Sequence, residues 1–376
     1  MRGPAVPTIV IAAGGTGGHF FPAEALAAEL LARGHRVVLM TDTRSGAMKS
    51  KVFTGQEQYV LPGAGIAGRG LWRGIKAVFS LSAGVMKARR LLSRLNVAAV
   101  VGFGGYPCVA PILGAGLLRR RPALVLHEQN AVLGRANRFL ARRVDRLALN
   151  FAGTERVPTE GGSTPVVTGN PVRPAIMALA DVPYTEPSDR ICLVVLGGSL
   201  GARVFSDIVP PALAALPEAL RHRLILTQQC RAEDLERVRA AYAQSGIEAD
   251  LSPFFPDVAE RLSRAHLVIA RAGASTVAEL AVAGRPAILV PLPGAIDDHQ
   301  SANARALAQA GAANVMPQPT FTSDTLAKTL TELLSAPATL SSMAAAARTQ
   351  AQSDAASRLA DLVETLMNHN AAEMPA

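Results

Sequence analysis

The chain has 376 residues, 49% of them hydrophobic and 18% charged, with a formal net charge of +9. That length exceeds one typical core and predicts two domains, and the apolar content excludes an intrinsically disordered chain. The three cysteines, Cys108, Cys192 and Cys230, lie far apart with no CxxC pair, which excludes a disulfide framework and fits a reducing compartment.

At the N-terminus, Met1–Pro7 shows no long apolar run behind a charged segment, and Thr8–Ala13 is too short for a signal peptide. No 18-residue uncharged apolar stretch reads as a transmembrane helix. The expectation is a soluble or peripheral protein that stays in the cytosol. Thr8–Ala13 is instead a short β-rich run, followed by Gly14-Gly-Thr-Gly-Gly18 and His19. From Phe20 to Arg33 apolar residues recur with helical spacing, and Gly34 stops the helix. Arg36–Thr41 reads as the next strand, which completes a βαβ unit and predicts a parallel sheet. Ala98–Gly102 and Ala123–His127 read as further strands of the same sheet.

Charge divides unevenly along the chain. Met1–Arg173 holds 23 Lys/Arg against 8 Asp/Glu, whereas Pro174–Ala376 holds 15 against 21. Between Gln58 and His127 there is no acidic residue and there are ten basic ones: Arg69, Arg73, Lys76, Lys87, Arg89, Arg90, Arg94, Arg119, Arg120 and Arg121. Leu71, Trp72, Ile75, Val78, Phe79, Leu81, Val85 and Met86 interleave with them. Part of this segment reads as an amphipathic helix with a basic face, suited to an anionic bilayer surface. A core helix with solvated arginines is the plainer alternative. Nucleic acid wants the same charges, but aromatics are only 4% and no nucleic-acid-binding motif occurs, so no nucleic-acid partner is expected.

The second half repeats the rhythm of the first. Arg190–Leu196 is a predicted strand ending in Gly197-Gly-Ser-Leu-Gly201, and Arg223–Gln228 is a strand after the helix. His266–Ala270 ends in Arg271-Ala-Gly-Ala-Ser-Thr276, a helix runs to about Ala283, and Pro286–Val290 is a further strand. The junction is placed near Gly169-Asn-Pro-Val-Arg-Pro174, where two prolines break regular structure. The predicted architecture is α/β: two Rossmann-like domains with parallel sheets facing a central cleft. The predicted domains span 1–168, 169–345, and a helical tail over 346–376 that packs back on the first. Ligands of such sheets bind beyond the carboxyl ends of the strands.

The chemistry therefore belongs to the turns at those strand ends. Gly14–Gly18 follows a strand and opens a helix, where backbone N–H groups and the helix dipole favour an anion. It departs from the dinucleotide fingerprint, because the third glycine of GxGxxG falls on Phe20, although Asp42 keeps a nicotinamide reading open. Gly102-Phe-Gly-Gly-Tyr-Pro107 and Gly197–Gly201 end strands in the same way. Each turn alone also suits tight strand–helix packing, but three at equivalent edges predict a ligand carrying phosphates. His127-Glu-Gln-Asn130 sets polar side chains in a row at a strand end, poor material for a core. Glu279 follows Ser275, a good N-cap, and can accept hydrogen bonds from a ribose diol or serve as an ordinary helix-start acid. Asp297-Asp-His-Gln300 precedes a helix over Ser301–Gln309. There is no DxD, HxxxH, HExxH or cysteine cluster, so no metal site and no cofactor are expected, and no GxSxG elbow occurs.

Gly14–His19, His127–Asn130, Gly169–Arg173, Gly197-Gly-Ser-Leu-Gly-Ala-Arg203 and Asp297–Gln300, taken in order from about Thr8 to about Gln318, resemble the MurG family of glycosyltransferase family 28. Its members transfer N-acetylglucosamine (GlcNAc) from UDP-GlcNAc to lipid I in peptidoglycan synthesis. The resemblance implies a two-domain GT-B fold, a position at the cytoplasmic face of the inner membrane, and UDP-GlcNAc and lipid I as substrates. It implies that Ser199 contacts the donor diphosphate with help from Arg173. Ala274, Ser275, Thr276, Val277, Ala278 and Glu279 would line the nucleotide, Glu279 taking the ribose hydroxyls. Gln300 and Asn130 would reach the sugar, and Phe255 would offer a backbone contact to uracil. Thr16, Gly17 and Gly18, and the loop containing Gly104, Gly105 and Tyr106, would meet the acceptor diphosphate or the transferred sugar. The sequence departs from relatives at Leu200, where many carry Gln, and in the Pro-Cys-Val-Ala stretch after Tyr106.

The family inverts the anomeric centre, so a base must take the proton of the acceptor C4 hydroxyl. His19 is the candidate, with Glu128 as the alternative. Arg173, backbone amides near Ser199 and a helix N-terminus would stabilise the leaving diphosphate without a metal. Two other enzyme classes and one binder remain open from sequence. An oxidoreductase would bind NAD(H). A non-hydrolysing UDP-GlcNAc epimerase would act without an acceptor, and a sugar-nucleotide binder would show affinity without turnover.

Overall fold

The computed structural model describes residues 6–15, 17–42, 50–62, 71–198 and 201–372, with the side chains of all of these except 71–77 and 371. The chain forms two compact units, one of Met1–Arg173 with Asp354–Ala376 and one of Pro174–Ser353.

The first unit is built on β1 (Thr8–Ala12), β2 (Arg36–Thr41), β3 (Glu57–Val60), β4 (Val97–Gly102), β5 (Ala123–Glu128), β6 (Arg146–Leu149) and β7 (Thr164–Val167). They lie in the order β3-β2-β1-β4-β5-β6-β7, and every pair is parallel. Parallel strands need crossovers that cover both faces, so central strands become apolar throughout. In β1, Ile9 and Ile11 face a layer with Leu26 and Leu30 of helix α1 (Gly17–Ala32). Val10 and Ala12 face the opposite layer, with Val85, Ala88 and Leu92 of helix α2 (Leu71–Leu95). Helix α3 (Val109–Gly116) lies against α2 at Gly114, where a Cβ would fall 2.9 Å from the Val85 carbonyl oxygen. The C-terminal helix Ala355–Ala372 joins this unit by burying Leu359, Ala360 and Val363 in the α1 layer. At the rim Arg33 pairs with Asp361 at 2.6 Å and Glu364 at 2.7 Å. Glu364 also meets His35 Nε2 at 2.6 Å.

The second unit is built on β8 (Ile191–Leu196), β9 (Leu224–Gln229), β10 (Ala249–Ser252), β11 (Leu267–Ala270), β12 (Ala287–Leu289) and β13 (Ala313–Val315). Their order is β10-β9-β8-β11-β12-β13, again all parallel. Ile191, Leu193 and Val195 pack with Phe205, Val209 and Leu213 and with Leu326, Leu330 and Leu340 from the later helices. Helix Pro337–Thr349 stays in this unit because Arg348 donates to the carbonyls of Ala180 and Val182.

Each strand order reverses once. In the first unit the chain winds outward from β1 to β3 and then returns to β4 on the other side of β1. In the second it does the same around β8 and β11. Ligands of doubly wound sheets bind where this reversal opens the carboxyl edge. Gly14–Gly18 and Gly102–Tyr106 flank the first reversal, and Gly197–Gly201 and Arg271–Thr276 flank the second.

Candidate active site

At the first reversal, His19 sits in the opening turn of α1, partly exposed. Its ring lies against the Gly104–Gly105 turn after β4. Both glycines have positive φ, 81° and 68°, a region that side chains disfavour. A Cβ at Gly104 would stand 3.4 Å from His19 Cε1 and 3.3 Å from Asn137 Nδ2. The glycines therefore serve two ends, a left-handed turn and room for the imidazole. Tyr106, 44% exposed, follows them. Behind the turn Cys108 is fully buried and its Sγ donates to the Gly105 carbonyl at 3.0 Å. Burial pushes that thiol up to about 12, which keeps it in its neutral form.

The polar row His127–Asn130 contradicts its reading as poor core material. His127, Glu128 and Gln129 are all buried, because each finds partners inside the unit. His127 Nε2 meets the Gly169 carbonyl at 2.8 Å. Gln129 Nε2 donates to the Phe103 carbonyl at 3.1 Å and to His127 Nδ1 at 3.0 Å. Gln129 Oε1 lies 2.9 Å from His19 Nδ1. Glu128 Oε1 accepts from the backbone N–H of Asn130 at 3.0 Å and from Asn130 Nδ2 at 2.9 Å. Its Oε2 accepts from the Gly134 N–H at 2.8 Å and from Asn137 Nδ2 at 2.9 Å. Buried polar groups are tolerable when their hydrogen bonds are made. Glu128 spends both oxygens on the chain itself, a poor arrangement for a base and a good one for an anchor.

Burial holds the His127 imidazole down to about 4, below its ordinary value near 6.5. An unfolded chain then takes up a proton as pH falls through about 6.5, while the folded protein takes it up only near 4. Stability is fully present above about 6.5 and declines toward 4, by about 3 kcal/mol for this one group. Denaturant unfolding of the wild type, compared with His127→Gln across that range, reads the difference. Parallel pH curves for the two proteins contradict it.

Arg173 closes the first unit and lies 4.3 Å above the Phe21 ring. Phe21 in turn packs against Gly17, where a Cβ would fall 2.8 Å from Cε2. Arg173 is thus gathered beside the first glycine turn with Gly17, Gly18 and His19. Thr16, Ser199 and Leu200 lie outside the described residues.

At the second reversal, Gly197 must lack a side chain: a Cβ there would fall 2.5 Å from the Ala202 nitrogen. Gln229, at the end of β9, holds this turn. Its Oε1 accepts from the Gly197 N–H at 3.1 Å, and its Nε2 donates to the carbonyls of Gly198 at 2.9 Å and Pro253 at 3.1 Å. One amide therefore ties the glycine turn to the segment carrying Phe255, whose buried ring lies 4.0 Å beneath Arg261. The sequence reading overlooked Gln229. Its signal was an amide pair, Gln228-Gln229, closing an apolar strand at the ligand edge.

Helix Ala274–Ala283 presents its N-terminus at the same edge. Gly273, in extended conformation, is its N-cap, and Ser275 lies inside the first turn. Ser275 is therefore not the cap, because the chain turns into the helix two residues earlier. Ala274, Ser275, Thr276, Val277, Ala278 and Glu279 occupy consecutive helical positions, with Glu279 buried. Helix His299–Gln309 starts two residues earlier than expected, with Asp298 at its N-cap position. Asp297 and Asp298 both adopt positive φ, 56° and 52°. Gln300 Oε1 accepts from the Leu292 N–H at 3.0 Å. The structure thus gathers His19, Gly17, Gly18, Gly104, Gly105, Tyr106, Glu128, Asn130 and Arg173 in the first unit. The segments carrying Phe255, Ala274–Glu279 and Gln300 belong to the second.

Known proteins match this arrangement along nearly the whole chain. The glycosyltransferase family 28 N-terminal domain matches residues 9–149 and the glycosyltransferase family 28 C-terminal domain matches residues 192–359. A UDP-N-acetylglucosamine--N-acetylmuramyl-(pentapeptide) pyrophosphoryl-undecaprenol N-acetylglucosamine transferase of Granulibacter bethesdensis is 62% identical, covering 96% of this chain and 94% of the relative. The protein of the same name from Acidiphilium cryptum is 56% identical, covering 96% and 98%. Among solved structures, MurG of Acinetobacter baumannii superposes with a TM-score of 0.75 at 34% identity, over 96% of this chain and 99% of that one.

Proposed function

Since the chain belongs to glycosyltransferase family 28, we propose that it is the inverting enzyme that moves GlcNAc from UDP-GlcNAc to the C4 hydroxyl of N-acetylmuramic acid in lipid I. The observation that carries this reading is the His19 imidazole. It sits beside two glycine turns at the sheet reversal of the first unit, held among the described residues by Nδ1 on Gln129 Oε1 at 2.9 Å. The acceptor oxygen attacks the anomeric carbon as the bond from that carbon to the UDP oxygen breaks. The hydroxyl proton passes to His19, and the charge that collects on the departing diphosphate is met by a cation, for which Arg173 is the candidate, and by glycine-turn amides. Glu279, Gln300 and Asn130 orient ribose and sugar, and Phe255 borders the base. A nicotinamide reading loses ground at Phe20, which fills the core beside Phe53 at a ring distance of 5.7 Å where a dinucleotide turn wants glycine. Transfer of labelled GlcNAc from UDP-GlcNAc, followed with and without lipid I, is the direct test. Product only with lipid I supports transfer; a changed sugar nucleotide without acceptor points to an epimerase.

The finer placement, at the cytoplasmic face of the inner membrane, is supported by α2. Among the described residues no helix is long and apolar enough to cross a membrane. Val78 and Phe79 on α2 are exposed, Phe79 by 72%, as are Met86 and, on the turn after α3, Leu117. Lys87, Arg89, Arg90 and Arg94 are exposed among them, and Arg89 Nε donates to the Leu117 carbonyl at 3.2 Å, joining helix and turn. The side chains of Leu71, Trp72, Arg73, Ile75 and Lys76, and the whole of Arg69, lie outside the described residues. Exposed apolar side chains ringed by cations suit the interface of an anionic bilayer. Replacing Arg89, Arg90 and Arg94 with Gln removes about 1 kcal/mol each. Binding to vesicles containing anionic lipid is expected to fall roughly 100-fold and to weaken further with salt. Vesicle co-sedimentation reads the loss, and undiminished binding removes this surface from the membrane contact.

A further inference from the structure

We propose that Gln129 is a positioning residue that fixes the tautomer of His19, proton on Nδ1 and lone pair on Nε2, through a one-way hydrogen-bond relay that begins at the Gly169 carbonyl. The inference rests on His19 being the base and adds what makes it one.

The relay follows from which atoms can donate. A carbonyl oxygen only accepts, so the 2.8 Å contact between Gly169 O and His127 Nε2 requires a proton on Nε2. His127 is fully buried and neutral, so its Nδ1 carries a lone pair. That lone pair, with the carbonyls of Phe103 and His127 at 3.1 and 3.3 Å, faces one end of the Gln129 amide. Three acceptors at one end can be met only by the NH2 group, which fixes the amide with its oxygen toward His19. Gln129 Oε1 then accepts from His19 Nδ1 at 2.9 Å, and Nδ1 must hold the proton. The neutral ring is left with its lone pair on Nε2. No link can be reversed alone, because each reversal sets two donors or two acceptors against each other.

The consequence is chemical. A free neutral imidazole favours the proton on Nε2, which would turn the nitrogen not engaged by Gln129 into a donor. An imidazole with its proton on Nδ1 meets an acceptor hydroxyl as a base from the outset, and that hydroxyl hydrogen bond lines up the proton that is to move. A histidine oriented through its second nitrogen gains in this way in catalytic triads, where the wrong tautomer lowers kcat by about 10⁴. The Gly104–Gly105 turn lies beside that edge without a side chain; a methyl at Gly105 would stand 3.7 Å from Nε2, in van der Waals contact with it.

The test uses the full-length protein with 15N-labelled histidine, in which protonated and bare ring nitrogens resolve, and the His19 signals are assigned by their absence in His19→Ala. With the ring neutral, the wild type is expected to show a protonated Nδ1 and a bare Nε2. Gln129→Leu is expected to move the proton toward Nε2 and to lower kcat about 100-fold, with KM for UDP-GlcNAc within about two-fold. A wild-type spectrum with the proton on Nε2 overturns the proposal without any variant, even if Gln129→Leu fails to fold. So does a Gln129→Leu protein that keeps the wild-type tautomer, whatever its turnover. Should His19→Ala retain full turnover, the base assignment fails, while the spectrum still decides the relay.

Discussion

Replacing His19 with Ala is expected to lower kcat by about 10²–10⁴-fold, the range that a positioned general base supplies. KM for UDP-GlcNAc should change by no more than about three-fold. The split follows from where the ring stands. His19 belongs to the first unit and is fixed by Gln129 and the Gly104–Gly105 turn, whereas the residues assigned to nucleotide and ribose lie on the second sheet. The imidazole meets the acceptor hydroxyl, and its proton moves only as the new glycosidic bond forms. Its loss therefore raises the barrier and leaves donor binding alone. His19→Gln sharpens the point, since an amide fills much of the space and can hydrogen-bond the hydroxyl but cannot take its proton. Steady-state kinetics with both substrates varied provide the measurement. A kcat within about three-fold of wild type in both variants would remove His19 from the chemistry and move the search to another group near the Gly104–Gly105 turn.

The parts of the fold legible in the sequence were those whose stability is written in local pattern. β1, β2, β4, β5, β8 and β11 are dense in apolar residues because both faces are covered, and the glycine turns announce themselves where a strand gives way to a helix. Glu57–Val60, Thr164–Val167 and Ala249–Ser252 went unread. They are short and lie at sheet edges, one neighbour supplies their hydrogen bonds, and Pro165 or a charged residue interrupts the pattern. β6 and β13 are as short. In the candidate site, the place of His19 at the head of α1 was legible because a strand, a glycine run and a helical pattern follow one another along the chain. The burial of His127, Glu128 and Gln129 was not, because their partners Gly134, Asn137 and Gly169 come from outside the motif. A polar row reads as exposed until the groups that satisfy it are placed. Ser275 misled for a related reason: good N-cap chemistry does not fix where the chain enters the helix, and Gly273 enters it first.

Glu128→Gln separates an anchor from a base more cleanly than removal of the side chain would. All four groups around the Glu128 oxygens are donors: the Asn130 N–H and Nδ2 on Oε1, and the Gly134 N–H and Asn137 Nδ2 on Oε2. An acceptor-only carboxylate satisfies them together. An amide cannot, because whichever way it is turned its NH2 faces two donors. The buried site then holds unpaired groups and a close donor–donor contact, an expected loss of about 3 kcal/mol. For a unit of this size that lowers the melting temperature by roughly 6–12 °C. The damage also has a direction. The Gly134 N–H starts helix Arg135–Leu140, and the Asn130 side chain loses the contact that aims it, so KM for UDP-GlcNAc is expected to rise while the folded fraction still turns over. A catalytic base predicts the reverse, an unaltered melting curve with activity abolished. Thermal unfolding and low-temperature kinetics on the same preparation tell the two apart, and the second pattern would return Glu128 to the chemistry at the expense of its role as anchor.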